Sequence, residues 1–396
     1  MSAVSGLGTT FNLPNYHGDL IELTPYDTPL LSAAGGITGG GAVSDTTIEW
    51  QTYDLRDAAV RTRLEGADAP TTEERARANV TNRTQIFHEA VSTSYTKQAA
   101  TEQYASANGG AANPVQNEHA WQVVQALKQV ARDVNYSFWN AQRVDPANNS
   151  TARQMAGLLS VMSSNAQVKA EALYVDASAA TDTITKTHNL VVNDKVVFTD
   201  VGASTTIVPN RAYWVTSIST TASFKVSATQ GGTAITVGTA TVSFYGMKAA
   251  SILTTDDVNV LLQSVFDNGG ITEQGTATLF VPSGQKRMLT KAYATSGTAA
   301  NQLAGTRNVG GLNLETIITD FGVLNIAVDR NLPADALTVV SLDQIQPVFT
   351  NIPNKGVLFE EELAKTGSSD KTQIYGEIGL KYGNEASHGV IRGLFA

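Results

Sequence analysis

The chain has 396 residues, 42% of them hydrophobic and 16% charged, with a formal net charge of -9 and no cysteine. At about 150 residues per domain this length carries roughly two to three domains, and the absent cysteines exclude a disulfide-framed module, a thiolate metal site and a cysteine nucleophile. An acidic balance, pI ≈ 5.1, argues against a dedicated nucleic-acid reader, whose footprint is a basic stripe. Charge this sparse, against about 25% in a typical domain, suits a surface covered by neighbours better than that of a free monomer.

In chain order, residues 1–45 are rich in Gly, Thr, Ser and Pro, with Pro14, Pro25, Pro29 and a glycine run from Gly35 to Gly41. They read as an extended arm whose apolar patch is Leu20, Ile21, Leu23, Tyr26 and Leu30. No secretion signal or membrane span is expected: the first residues lack a basic and then apolar stretch, and no run nears 18 apolar residues. Residues 51–90 hold thirteen charges in forty positions, twice the chain's density. With Ile48-Glu49-Trp50 and Thr84-Gln85-Ile86-Phe87 as strands at its ends and Gly66 and Pro70 in a turn, this stretch reads as a long two-stranded excursion. An isolated hairpin is marginal in water, so the excursion is expected to lie across another surface or subunit, an ordinary surface loop being the alternative.

Residues 113–141 carry the clearest helix. Asn113 suits an N-cap, Pro114 the first helical position, and Ala120, Val123, Val124, Leu127, Val130, Ala131, Val134 and Phe138 advance in steps of three and four; at 1.5 Å per residue it is roughly 40 Å long. From 171 to 246 short segments dominated by Thr, Val and aromatics predict an all-β barrel or sandwich. A helix follows at Thr255–Asn268, with Asp256 and Asp257 at its start and Gly269-Gly270 at its stop. Strands and one helix then alternate to the C-terminus, giving an α+β chain with the β unit as an insertion.

Motifs for chemistry are scarce. His88-Glu89 lacks the second histidine of a zinc protease motif, and His17, His88, His119, His188 and His388 show no ligand spacing. The glycine run fits no phosphate loop, Asp256-Asp257 reads as a helix start, and Glu360-Glu361-Glu362 reads as a solvated charge run. No catalytic activity, cofactor or metal is expected.

The order of four stretches resembles the tailed-phage major capsid proteins of HK97-like fold, in particular the SU10-like major head protein group. They are Asn15-Tyr16-His17-Gly18-Asp19-Leu20 through Leu30; the helix ending Arg132-Asp133-Val134; Ala152-Arg153-Gln154-Met155-Ala156-Gly157-Leu158; and Leu253-Thr254 through Gly269-Gly270, then Pro282-Ser283-Gly284-Gln285-Lys286-Arg287. The closing Gly376-to-Leu394 segment fits as well. Asn135 departs from the pattern, which has glutamate there, and removes the basis for an ion pair from that position. The resemblance implies an N-arm at 1–45, an E-loop over the adjacent subunit at 46–96, a peripheral domain with spine helix at 97–150, an axial domain at 151–170 and 247–345, an inserted β domain at 171–246, and a return to the peripheral sheet at 346–396.

The implied function is self-assembly into hexamers and pentamers of an icosahedral head enclosing double-stranded DNA, assembled in the host cytoplasm and ending in the virion. DNA would be touched non-specifically, through phosphate charge, and portal, scaffold and decoration proteins are candidate further partners. Candidate inter-subunit contacts are Arg56, Arg61, Arg63, Arg75 and Arg77 against Asp54, Asp57, Glu65, Glu73 and Glu74 of neighbours. A rival reading makes 171–246 a carbohydrate-binding or adhesin module with Tyr213 and Trp214 as exposed stacking platforms. The favoured expectation places at least one of the two in the β core.

Overall fold

The structure is a computed structural model that describes residues 22–25, 27–37, 40–56, 58–71, 74–102, 115, 117–169, 173–247, 252–271, 277–295, 316–365 and 367–395. The proposed helix start at Asn113-Pro114, Tyr26 and the arm before residue 22 lie outside the described residues. The chain divides into two compact units, one holding the described parts of 22–27, 87–132 and 358–376, the other those of 28–86, 133–357 and 377–396. Three elements run from one unit into the other: the strand Gln85–Ser94, the long helix Glu118–Asn140 and the strand Ser369–Lys381.

In the smaller unit, Leu358–Glu362 runs antiparallel to Ser369–Lys381, Leu358 opposite Gly376 and Glu362 opposite Thr372. Gln85–Ser94 pairs with the same long strand. Phe87 and Ile374 are its buried apolar anchors. His119, on the first turn of the long helix, reaches Thr93 Oγ1 at 3.0 Å through Nδ1 and Thr372 Oγ1 at 2.8 Å through Nε2, so one imidazole ties helix to strands. Glu360-Glu361-Glu362 lies in a strand, not a free charge run. The alternation of strand side chains exposes Glu360 and Glu362 and leaves Glu361 half-buried, accepting from Gln373 Nε2 at 3.0 Å.

In the larger unit a six-stranded mixed sheet runs in the order Thr316–Thr319, Gly322–Val328, Ala277–Val281, Leu337–Ser341, Gly389–Arg392, Ala166–Val168. Its central strands Ala277–Val281 and Leu337–Ser341 are buried at every position, the signature of strands covered on both faces. Leu261, Leu262 and Val265 of helix Thr255–Asp267 and Leu289 of helix Ser283–Thr295 pack into the same core. Thr254 starts the first of these helices by a capping box with Asp257, satisfying orphan N–H groups at the helix start. Gly269, at φ +83°, carries the chain past its end, where only glycine is unstrained. The four residues Leu158–Val161 form a short helix.

Residues 173–247 of the same unit close into a barrel, in the order Ser223–Ser227, Thr183–Thr185, Leu173–Ala180, Ala240–Met247, Lys195–Asp200, Ala212–Thr220 and back to Ser223–Ser227. Closure removes the unpaired edges that a sandwich keeps. Phe198, Phe224, Phe244, Tyr213 and the inward valines fill it, with Phe224 and Phe244 edge to face at 5.2 Å. Ala234–Val237, though β-rich in sequence, is not one of its strands; Ile235 N–H bonds Val226 O at 2.8 Å and Val237 plugs the core. Among the described residues, no helix is long and apolar enough to cross a membrane.

Candidate assembly interface

Within the larger unit, Thr47–Tyr53 and Arg77–Arg83 pair antiparallel in an unbroken register from Thr47 opposite Arg83 to Tyr53 opposite Arg77. The return strand is therefore Arg77–Arg83. The expected end strand Thr84–Phe87 belongs instead to Gln85–Ser94, which leaves for the other sheet.

The root of the excursion is fixed by buried hydrogen bonds. Asn82, fully buried, donates to Leu380 O at 2.6 Å and Ala156 O at 3.2 Å and accepts from Ala156 N–H at 2.8 Å. Trp50 Nε1 donates to Gly383 O at 2.8 Å, its ring edge-on to Tyr382 at 4.8 Å. Arg83 and Arg143 both grip Asp145 at 2.6 Å, and their hydrogen bonds hold the Asp145 carboxyl below its usual range. Arg143 also donates to Thr81 O at 2.6 Å.

Beyond the root, the described residues of 54–76 carry no regular element apart from a turn at Gly66, and a loop above about 15 residues is uncommon unless functional. Arg56, Arg61, Arg63, Glu65, Glu74, Arg75 and Arg77 are all exposed; Asp57 and Glu73 lie outside the described residues. Among the described ones only Arg77 sits on a strand, donating to Gln51 Oε1 at 3.1 Å. The other described ones lie on the loop. Sequence reasoning missed their apolar companions: Tyr53 is 70% exposed, Leu55 68%, Val60 94% and Leu64 85%. The signal was present as four large apolar side chains interleaved with charges at no helical period.

The barrel does not offer the rival site. Tyr213 is buried and its hydroxyl accepts Val208 N–H at 2.8 Å, while the half-buried Trp214 ring carries Lys195 Nζ at 4.8 Å. The remaining described histidines are held by hydrogen bonds: the exposed His88 Nε2 meets Gln373 Oε1 at 3.1 Å, the buried His188 Nδ1 accepts Leu190 N–H at 3.1 Å, and the buried His388 lies between Ser341 and Tyr382. His17 lies outside the described residues.

The overall fold is that of phage shell subunits. The chain is similar to the capsid protein of cyanophage A-1(L), with a TM-score of 0.57, 12% identity and 98% of both chains covered. It is also similar to that of cyanophage P-SCSP1u, with a TM-score of 0.50, 9% identity, and 97% of this chain and 93% of the other covered. No curated protein matches it in sequence. The SU10 major capsid protein family model matches residues 3–395, so the chain belongs to that family: it is a tailed-phage major capsid protein with an HK97-like, α+β fold.

Proposed function

We propose that this capsid protein assembles as hexamers and pentamers into an icosahedral head around double-stranded DNA, and that the excursion at 46–96 is the E-loop that grips the adjacent subunit. The observation that carries this reading is the loop at 54–76: firmly rooted, mixed in charge, and holding Leu55, Val60 and Leu64 in water. Large apolar side chains kept exposed on an ordered root mark a surface that becomes buried on association. On this reading residues 1–45 are the N-arm, the long helix is the spine of the peripheral domain, 151–170 and 247–345 are the axial domain, and 346–396 returns to the peripheral sheet, save that its strand Gly389–Arg392 pairs in the six-stranded sheet with Leu337–Ser341 and Ala166–Val168. The barrel is the insertion, and portal, scaffold and decoration proteins complete the particle. The role is structural, and DNA contact is by phosphate charge alone.

The test is deletion of residues 56–75 with a short Gly-Ser bridge, which spares both paired strands. The expected product is a folded subunit with unchanged circular dichroism that forms no shells by negative-stain microscopy. Normal shells from this deletion would overturn the E-loop assignment.

A further inference from the structure

The barrel is joined to the rest of the chain only through its two ends, yet its base meets the C-terminal segment through buried polar groups. Arg392, the last residue of strand Gly389–Arg392, is 4% exposed. Its Nε donates to Asp335 Oδ2 at 3.2 Å, and the same oxygen accepts Gly393 N–H at 3.2 Å. Its Nη2 donates to Asn210 Oδ1 at 3.1 Å on the barrel, and its guanidinium lies 5.0 Å from the ring of Tyr245 on the barrel strand Ala240–Met247. Asn210 presents that oxygen from a left-handed turn, φ +59°, pinned by its own N–H to Phe198 O at 2.7 Å.

One further contact crosses the joint, and another fixes its host side. Lys195 of the barrel places Nζ 4.8 Å from both the Trp214 ring and the Phe395 ring, and burial pushes its ammonium pKa down. Where the chain enters the barrel, Lys169 N–H bonds Arg392 O at 3.0 Å, and its Nζ reaches both oxygens of Asp257 at 2.6 Å, inside the capping box of helix Thr255–Asp267. A planar guanidinium with donors on two edges and an aromatic face can satisfy host carboxylate, barrel amide and barrel ring at once. A lysine cannot.

We infer that Arg392 is a positioning residue that clamps the barrel to the six-stranded sheet, so that the barrel is carried in one fixed orientation rather than on a flexible tether. A buried guanidinium shared between the two disfavours separation, because opening would strip Arg392 of its barrel-side partners, the Asn210 oxygen and the Tyr245 ring, while Asp335 keeps its pair. The inference does not depend on the assembly reading and is read on the dissociated subunit.

The chain's lack of cysteine makes the test direct. Spin labels at Ser219→Cys, exposed on the barrel, and Val260→Cys, exposed on helix Thr255–Asp267, report the distance between the two by pulsed electron spin resonance. The expected parent distribution is a single narrow peak. Asn210→Gly suits the left-handed turn and leaves the Arg392–Asp335 pair intact, so it deletes only the barrel-side acceptor; it is expected to broaden the peak at least twofold. Asn210→Asp keeps an acceptor and is expected to stay narrow. Should Asn210→Gly not fold, Arg392→Lys gives the same readout, since it keeps the charge beside Asp335 and gives up the reach to Asn210. A broad parent distribution, or an Asn210→Gly (or Arg392→Lys) peak as narrow as the parent's, overturns the clamp.

Discussion

At the scale of single residues, Asn135 shows how one side chain replaces an expected charge. It is fully buried on the long helix, its Oδ1 accepting Leu31 N–H at 3.0 Å and its Nδ2 donating to Asp329 at 3.1 Å. Asp329, also fully buried, accepts Trp139 Nε1–H at 2.8 Å and Asn331 N–H at 2.8 Å. The amide thus serves as both acceptor and donor, which a glutamate could not do, and a second carboxylate would face Asp329 in a water-free site. Asn135→Asp, nearly the same shape, is expected to lower unfolding stability by about 3–5 kcal/mol, as for a buried charge left without compensation, measured by urea denaturation at neutral pH. His388 gives the pH dependence. Its Nδ1 accepts Ser341 N–H at 3.2 Å and its Nε2 faces Tyr382 O at 2.9 Å, so the ring is neutral with the proton on Nε2. Burial lowers its pKa, the Tyr382 carbonyl, Asp343 and Glu385 pulling weakly upward. With the folded pKa depressed, the unfolded chain binds the extra proton first. The contribution of His388 is therefore complete above the free-histidine value of about 6.5 and declines below it, by up to about 1.4 kcal/mol per pH unit. Thermal melts between pH 5 and 8 should show that acid limb, and His388→Asn should flatten it.

At the scale of elements, the sequence is legible where a segment's partner is near and opaque where it is far. The capping box and glycine stop of Thr255–Asp267 and the runs of the barrel are local signals, and the barrel closes among its own strands. Gln85–Ser94 is different: its partner lies in Ser369–Lys381, and nothing in Ile86-Phe87 says which of two available strands it will join. Glu360-Glu361-Glu362 reads as a charge run because strand propensity is low for glutamate, yet the pairing with Thr372-Gln373-Ile374 overrides it. Gly157 in the Ala152–Leu158 stretch is a case where a motif residue acquires its reason only from structure. A Cβ there would stand 2.7 Å from Ser137 O, 2.8 Å from Ala141 N and 2.9 Å from Trp139 O, all backbone of the long helix's end. Gly157 N–H closes the contact on Ala141 O at 2.9 Å. Backbone cannot step aside as a side chain can, so Gly157→Ala is expected to cost about 1–3 kcal/mol or more by overpacking, read as a shifted denaturation midpoint at unchanged slope.

At the scale of the whole molecule, the proposed E-loop contact would draw its strength from two sources: ion pairs along the excursion and apolar area on it. Their magnitudes differ. An exposed ion pair is worth about 0–1 kcal/mol and is screened by salt, whereas burying a leucine or valine side chain brings about 1.5–3 kcal/mol. Val60 and Leu64, nearly fully exposed in the single chain, therefore should supply affinity, and Arg56, Arg61 and Arg63 should supply register and partner choice. Because Val60 and Leu64 contact little within their own chain, Leu64→Asp should leave subunit stability within about 0.5 kcal/mol, as surface substitutions do. Repeated at every copy in a lattice, the same change should abolish shell formation, seen as loss of the fast-sedimenting species. Arg61→Gln should reduce assembly only slightly, and raising salt should slow parent assembly without dissolving finished shells. The opposite ranking, normal shells from Leu64→Asp and none from Arg61→Gln, would make charge rather than buried area the source of cohesion.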